Sequence, residues 1–308
     1  MHEPEADDRL VCPVCGGQRF VELYPATFTG QYRPHHVAIT DHGYGLTGCL
    51  VRCRACAMVT VHPRPAGEQL VQLYAELQDP SYQEETAGRR DSFVRVLREL
   101  RRLSPPNLRL LDIGASTGIF VDSARQHGFD ATGIEPSRWA VEEAAKTFRI
   151  PLIEGTLPHP SIPARHFGAA VLLDVIEHVD DPRGLVEQAR ETLVDGGLLV
   201  VTTPDFDSLA RRLLGQRWWH CRLAHVQYFS RATLHRLLRD CGFVLERVMR
   251  IGRTFRLHYW FSRLEGRPLV AGMLEHLRAS SLGRTLLDTR VRINFFDSVT
   301  FFARFSGR

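Results

Sequence analysis

Apolar positions in this chain recur with two different periods. Between Arg109 and Pro136 a short apolar run breaks at a Gly/Ser loop, resumes as an amphipathic helical pattern, and ends in a second short run closed by Glu135. That order, strand, loop, helix and strand, is one nucleotide-binding βαβ half with a ligand site at its mouth. Further strands are expected at Pro151 to Thr156 with its turn, Ala169 to Leu173, the run within Val194 to Asp205, Val244 to Met249, and Asp297 to Phe305. Helical spacing covers Trp139 to Thr147 and Leu269 to Ala279. Upstream, Leu70, Leu73, Tyr74 and Leu77 fall at three- and four-residue steps before Asp79-Pro80 ends the pattern. A second helix, Asp91 to Leu103, gathers Phe93, Val96, Leu97, Leu100 and Leu103 on one face and arginines elsewhere. Short strands alternating with helices predict an α/β fold with a largely parallel sheet.

The loop of the opening unit narrows its ligand. Gly114 and Gly118 bracket Ala115-Ser116-Thr117, which permits a tight turn and close approach to the backbone. Asp112 ends the strand, where a carboxylate faces a cationic or hydroxyl-bearing ligand. No Lys-Ser/Thr pair follows, so the loop is not built for a nucleoside triphosphate. Glu135 closes the second strand at the position from which a carboxylate accepts hydrogen bonds from ribose hydroxyls. The G-x-G-x-x-G pattern of a dinucleotide site is missing.

The run LLDIGASTG, Leu110 to Gly118, resembles the first motif of class I S-adenosylmethionine-dependent methyltransferases, with Ser116 where Gly is commoner. TGIEPS, Thr132 to Ser137, resembles that family's ribose-binding second strand. LLDVIEHVDDP, Leu172 to Pro182, and VDGGLLVVTTPD, Val194 to Asp205, are similar to its fourth and fifth strands in order, and the likeness spans roughly Ser104 to Arg250. The resemblance implies a Rossmann-like seven-stranded sheet and S-adenosylmethionine as cofactor. It implies Asp112, Gly114, Ser116, Gly118, Glu135 and Asp174 as cofactor contacts, with Gly155 and Thr156 beside the adenine. The acid usual just after the third strand is absent, because Glu154 precedes the glycine.

Seven cysteines change the picture of the first 66 residues. Cys12 and Cys15, then Cys53 and Cys56, form two C-x-x-C knuckles that can offer four thiolates to one tetrahedral zinc ion. A redox C-x-x-C usually stands singly beside a βαβ unit, which favours structural zinc here. Phe20 to Leu23 and Leu50 to Arg52 supply strands for a small ribbon-like module, and Cys49 lies outside the site. Two roles fit the module. It staples a segment too small to bury its own core, or its loop, with Tyr32, Arg33, His35, His36, Asp41, His42 and Tyr44, walls the substrate cleft. The expected organisation is a zinc module at 1–66, lead-in helices at 67–104 and a methyltransferase domain at 105–308. Segments near 206–228 and 266–287 are expected to cover the substrate.

The fourth strand delivers Asp174, Glu177 and His178 to the cleft mouth. A helical turn starting there would place them at i, i+3 and i+4 on one face. Three roles fit that face. The pair Glu177-His178 caps the next helix or faces the cofactor; or His178, or His225 further on, acts as a general base with a carboxylate beside it. In the third, Asp174, Glu177, His178 and His225 hold a divalent ion, as in the Glu-x-x-Glu-His methyltransferases of quinone synthesis and small-RNA end methylation that this stretch resembles. Trp218 and Trp219 suit a pocket for a ring or sugar face, and equally a plain core.

The expected activity is O-methylation of a sugar-like or secondary-metabolite hydroxyl. Alternatives are C-methylation of nucleotide-linked keto sugars, RNA methylation, and a zinc-organised binding protein without turnover. A net charge of +4 spread along the chain does not call for nucleic acid. No apolar run reaches membrane-span length and the start, MHEPEADDRL, is polar, so a cytoplasmic protein is expected. Composition sets no oligomeric state.

Overall fold

The computed structural model describes residues 10–38, 40, 43–262 and 268–307. Its elements in chain order begin with β1 (Phe20–Tyr24), β2 (Leu50–Cys53), β3 (Val59–Val61), α1 (Gly67–Ala75) and α2 (Thr86–Arg102). Then come β4 (Arg109–Ile113), α3 (Ile119–Gln126), β5 (Asp130–Glu135), α4 (Arg138–Phe148), β6 (Ile153–Glu154), β7 (Phe167–Leu173) and α5 (Pro182–Thr192). Next are β8 (Leu193–Pro204), α6 (Leu209–Leu214), β9 (Gln227–Tyr228), α7 (Arg231–Asp240) and β10 (Phe243–Met249). The chain continues through β11 (Arg253–Arg256), α8 (Leu257–Ser262), α9 (Pro268–Ala279), α10 (Ser281–Leu287), β12 (Arg290–Ile293) and β13 (Ser298–Phe305).

Seven strands form one sheet in the order β10-β13-β8-β7-β4-β5-β6. Strands β4 to β8 run parallel, and β13 enters antiparallel between β8 and β10. This is the Rossmann-like methyltransferase sheet. The apolar runs make it, because each central strand is buried on both faces. Leu111 and Ile113 of β4 pack with Ala170, Leu172 and Leu199 in one core cluster, while Leu110 packs with Ala169, Val171 and Leu198 in the other. After β5 and β6 the chain returns to the opposite side of β4 to lay down β7. The strand order therefore reverses at β4 and β7, and the crevice beyond their carboxyl ends is where such sheets bind ligands.

The N-terminal sheet is β1-β2-β3-β9, so its last strand comes from the segment between β8 and α7. Val59 pairs with Tyr228 and Thr60 with Gln227. Cys12, Val14, Cys53 and Met58 lie in the same core cluster as the large sheet, and Arg183 of α5 donates to the carbonyls of Pro13 and Val14. Helix α2 starts at Thr86, five residues before the expected Asp91 and seven before the first residue of the apolar stripe, Phe93. Its first turn instead meets the β11 hairpin at Gly88, where a Cβ would lie 2.0 Å from the Thr254 carbonyl oxygen. Three of its arginines are engaged within the chain: Arg90 pairs with Asp122, Arg101 donates to the His127 carbonyl, and Arg102 pairs with Glu99.

Candidate active site

The crevice holds a cavity of about 360 Å³. Gly114 and Ser116 of the first loop, Glu135, Gly155 and Thr156, and Asp174 and His178 all line it. Asp112, Gly118, Glu177 and His225 are not in its wall, although Asp112, Glu177 and His225 are buried. Helix α1 and the turn after it supply another side through Leu70, Tyr74 and Tyr82. No described residue of the zinc-module loop faces the cavity; Asp41 and His42 lie outside the described residues.

The loop owes its shape to unusual backbone angles. Gly114 and Gly118 both have φ of +77°, and Ser116 has φ of +48°. The serine thus stands where an L side chain is strained, which accounts for Gly being commoner there in the resembled family. Glu135 holds the turn in place: Ser116 N–H donates to its Oε2 at 2.8 Å and Ser137 N–H to its Oε1 at 2.9 Å. Burial pushes the Glu135 carboxyl up, and those two amides oppose the shift. Asp112 is pushed up to about 8, chiefly by burial and then by the nearby charge of Glu135.

The segment after β7 differs from the expected helical turn. Asp174 adopts φ of +57°, and only a tight turn follows, closed by His178 N–H to the Val175 carbonyl. The Asp174 side chain consequently parts from those of Glu177 and His178. Asp174 accepts two bonds from Arg253 Nη2, both at 2.9 Å. Glu177 turns inward and accepts from Thr203 Oγ1 at 2.9 Å. His178 Nδ1 lies 2.7 Å from the Ala224 carbonyl and 2.7 Å from the Tyr74 hydroxyl. A carbonyl only accepts, so Nδ1 carries the proton and Nε2 keeps its lone pair. Burial, with the charge of Arg222 in support, pulls the His178 imidazole down to about 4, so the ring is neutral at physiological pH.

His225 is brought to the same place from far along the chain. The Glu177 carbonyl accepts from the amides of Val226 and Gln227, and Gln227 Nε2 donates to the Asp180 carbonyl. The His178 and His225 ring centroids are 4.8 Å apart. One donor atom each from Glu177, His178 and His225 lies within 4.8 Å of the others, and Asp174 is not part of that group. Glu177 is pushed up to about 8 by burial and by the charge of Asp174. Glu177 Oε1 and His225 Nδ1 are buried without a hydrogen-bond partner.

None of the residues of segment 206–228 lines this cavity. Trp218 is fully buried, its Nε1 donating to Asp297 Oδ2 at 3.3 Å, and is core. His220 approaches the same carboxylate at 3.4 Å and stacks on His225, with ring centroids 5.8 Å apart. Tyr74, Arg253 and Asp297 are the polar residues that sequence reasoning did not single out. Tyr74 appeared only as one more apolar-face position, and no local pattern marks the other two.

The four cysteines converge as the spacing requires. Cys12 and Cys56 Sγ are 3.5 Å apart, Cys15 and Cys53 Sγ 3.6 Å, and all four sulfurs lie within 4.8 Å of one another. Metal–sulfur bonds of about 2.3 Å in a tetrahedron demand sulfur separations of about this size. Burial holds the Cys12 thiol up at about 11 and raises Cys56 as well. Cys53 shifts the other way: against burial, hydrogen bonds from the backbone at Cys56 and Ala55 and from the neighbouring thiols lower it.

Residues 87–248, more than half of the chain, match the family model described as a methyltransferase domain. The ubiquinone biosynthesis O-methyltransferase of Cereibacter sphaeroides is 29% identical over 187 residues, which span 55% of this chain and 74% of that protein. The mitochondrial ubiquinone biosynthesis O-methyltransferase of Schizosaccharomyces pombe is 30% identical over 133 residues, 41% of this chain and 47% of its own length. A solved S-adenosylmethionine-dependent methyltransferase from Mesorhizobium loti is similar at 20% identity and a TM-score of 0.43, covering 67% of this chain and 95% of that one. Among the described residues no helix is long and apolar enough to cross a membrane. With its sheet, its glycine loop and this match taken together, the chain belongs to the methyltransferase domain family and is a class I S-adenosylmethionine-dependent methyltransferase.

Proposed function

We propose that the chain methylates a hydroxyl oxygen of a small, sugar-like or other ring-bearing acceptor, with His178 taking the proton. The observation that carries this reading is the orientation of His178: Nδ1 is tied to the Ala224 carbonyl while the ring lines the cavity with Nε2 unprotonated. The relatives named O-methyltransferases agree with oxygen as the acceptor atom. When bound, S-adenosylmethionine supplies a methyl group on a sulfonium, already activated for in-line displacement. The residues then have three tasks: to align acceptor and methyl, to exclude water, and to receive a proton. In this reading the Gly114 to Gly118 loop, braced from behind by Asp112, cradles the amino-acid end of the cofactor. Glu135 exchanges a backbone amide for ribose hydroxyls, and Gly155 and Thr156 border the adenine. His178 Nε2 accepts the acceptor's proton as the new C–O bond forms and the C–S bond breaks, while Tyr74 and Ala224 fix the ring. Incubation with methyl-labelled cofactor and a panel of catechols and sugars is expected to yield labelled methyl ethers. Label on carbon or RNA only would overturn the proposal.

A second reading of the same site is favoured by one observation, the two unpartnered buried atoms Glu177 Oε1 and His225 Nδ1. With His178 they would hold a divalent cation that acidifies the acceptor hydroxyl. Dialysis against a chelator, then readdition of zinc to one equivalent per chain and afterwards of magnesium or manganese, decides: recovery only with the second metal supports the cation, and full turnover with zinc at the cysteines alone supports the base alone.

The four-cysteine cluster is proposed to hold a structural zinc ion. Because β3 pairs with β9, the ion would also secure the segment that carries His225. Cys53→Ser is expected to take zinc from about one per chain to near zero and to lower the thermal midpoint by on the order of 10 °C. Elemental analysis and calorimetry check it, and a variant with full zinc and an unchanged midpoint counts against a structural ion.

A further inference from the structure

Tyr74 of α1 and His178 of the turn after β7 both line the main cavity. Their rings stand edge to face, with centroids 5.8 Å apart and planes at 80°, and the Tyr74 hydroxyl lies 2.7 Å from His178 Nδ1. Nδ1 carries the proton that it also offers to the Ala224 carbonyl, so the Tyr74 oxygen can only accept from it. A phenol oxygen that accepts still has its own hydrogen to give. Among the described residues His178 is the only hydrogen-bond partner of this hydroxyl. Burial pushes the phenol pKa up, against the charge of Arg222 and with those of Glu177 and Glu135, so the hydrogen stays on the oxygen at physiological pH.

Holding the His178 ring does not require that hydrogen. A phenylalanine would meet the imidazole edge to face just as well, and the Ala224 carbonyl alone sets the tautomer. A donor withdrawn from bulk water and left without an acceptor carries its full desolvation penalty, so the hydrogen is available to whatever enters the cavity. The wall therefore offers two unlike groups side by side: the Nε2 lone pair, which takes a proton, and the Tyr74 hydroxyl, which gives a hydrogen bond. Only one imidazole ring and one hydrogen bond separate them, so the two ligand atoms they engage are close neighbours. The complementary ligand has a hydroxyl and, on the next carbon, an oxygen with a free lone pair. We propose that Tyr74 binds the methyl acceptor by donating to the oxygen on the carbon beside the one that bears the methylated hydroxyl. The site would then select vicinal oxygen pairs, as in a cis-diol or an aromatic ortho-diol, over lone hydroxyls. This assignment rests on the O-methylation reading above, which supplies the hydroxyl and its base.

Tyr74→Phe tests it, because it keeps the packed ring and removes only the hydroxyl. The full chain and the variant, each saturated with S-adenosylhomocysteine, are titrated calorimetrically with two pairs of probes. Catechol is compared with phenol, and cis-1,2-cyclohexanediol with cyclohexanol. The parent is expected to bind the diol of at least one pair about 10-fold more tightly than its mono-ol. Y74F is expected to lose that preference by weakening the diol alone, with the affinity for S-adenosylhomocysteine changed by no more than a few-fold. A parent without preference in either pair, or a preference that survives in Y74F, overturns the proposal. Equal weakening of both members also overturns it, since that marks a residue which only positions His178. A selective loss of S-adenosylhomocysteine affinity does the same by assigning the hydrogen to the cofactor. These titrations read binding without turnover, so their failure is separate from that of the O-methylation reading, which is decided by where the methyl label goes.

Discussion

Gly114→Leu is expected to weaken S-adenosylhomocysteine binding by about 100-fold or more while the chain stays folded and its zinc content is unchanged from the parent's. Gly114 lies in the cavity wall with φ of +77°, a conformation that costs an L side chain about 1–3 kcal/mol. A Cβ there would also meet Val175 Cγ2 at 2.7 Å, an overlap worth about another 1–3 kcal/mol. The loop has two responses, and both harm the site. If it keeps its shape, Val175 is pushed and the new side chain competes with the ligand. If it relaxes to negative φ, the bond by which Glu135 holds the Ser116 amide is lost. At about 1.4 kcal/mol per tenfold, either route reaches the stated loss. Calorimetry reads the affinity, and circular dichroism with elemental analysis reads fold and metal. Affinity retained within tenfold would show that the loop is not the cofactor cradle.

The parts of this molecule legible in the sequence are those governed by local period and spacing. β4, β5, β7 and β8 could be read because strands buried on both faces are near-continuous apolar runs, and the loop after Asp112 because turns that need positive φ collect glycine. The two C-x-x-C knuckles announced the cluster because a knuckle sets its own sulfur spacing. The remainder depends on contacts between distant segments. The period of α1 shows that Tyr74 belongs to a buried face, but that its hydroxyl meets His178 follows from where the helix lies across the strand ends. The same holds for Arg253, which reaches Asp174 only once the β11–β12 hairpin folds over β7.

Two expectations failed for identifiable reasons. A helical turn after β7 assumed right-handed backbone at Asp174, whereas its φ of +57° redirects the chain and separates its side chain from Glu177 and His178. The 206–228 segment looked like a substrate cover because it is rich in tryptophan and histidine. In the fold its aromatic residues are spent on a core around Trp218, and its last strand completes the N-terminal sheet. Aromatic content alone does not distinguish a pocket wall from a core. The backbone bonds from Val226 and Gln227 to the Glu177 carbonyl do, because they make this segment the support that carries His225 to His178.

His178→Ala is expected to lower kcat by about 100- to 10,000-fold, the range for removing a positioned general base, with the Kd for S-adenosylhomocysteine changed by no more than a few-fold. The imidazole supplies a lone pair at the cavity wall, whereas the Gly114 loop and Glu135, which hold the cofactor in the proposed reading, come from β4 and β5. Binding and turnover should therefore separate. The pH profile adds a second check. Burial holds the His178 pKa at about 4, below the ordinary 6.5, so the neutral base persists in the folded protein as pH falls through 6.5. The acid limb of kcat is accordingly expected near 4, in place of an ordinary imidazole limb. The sign for stability runs the same way: the unfolded chain takes up this proton at about 6.5 and the folded chain only at about 4. Between those values stability falls as pH falls. An alanine variant that turns over at the wild-type rate would remove His178 from the mechanism. One that loses cofactor affinity in proportion to rate would make it a binding residue.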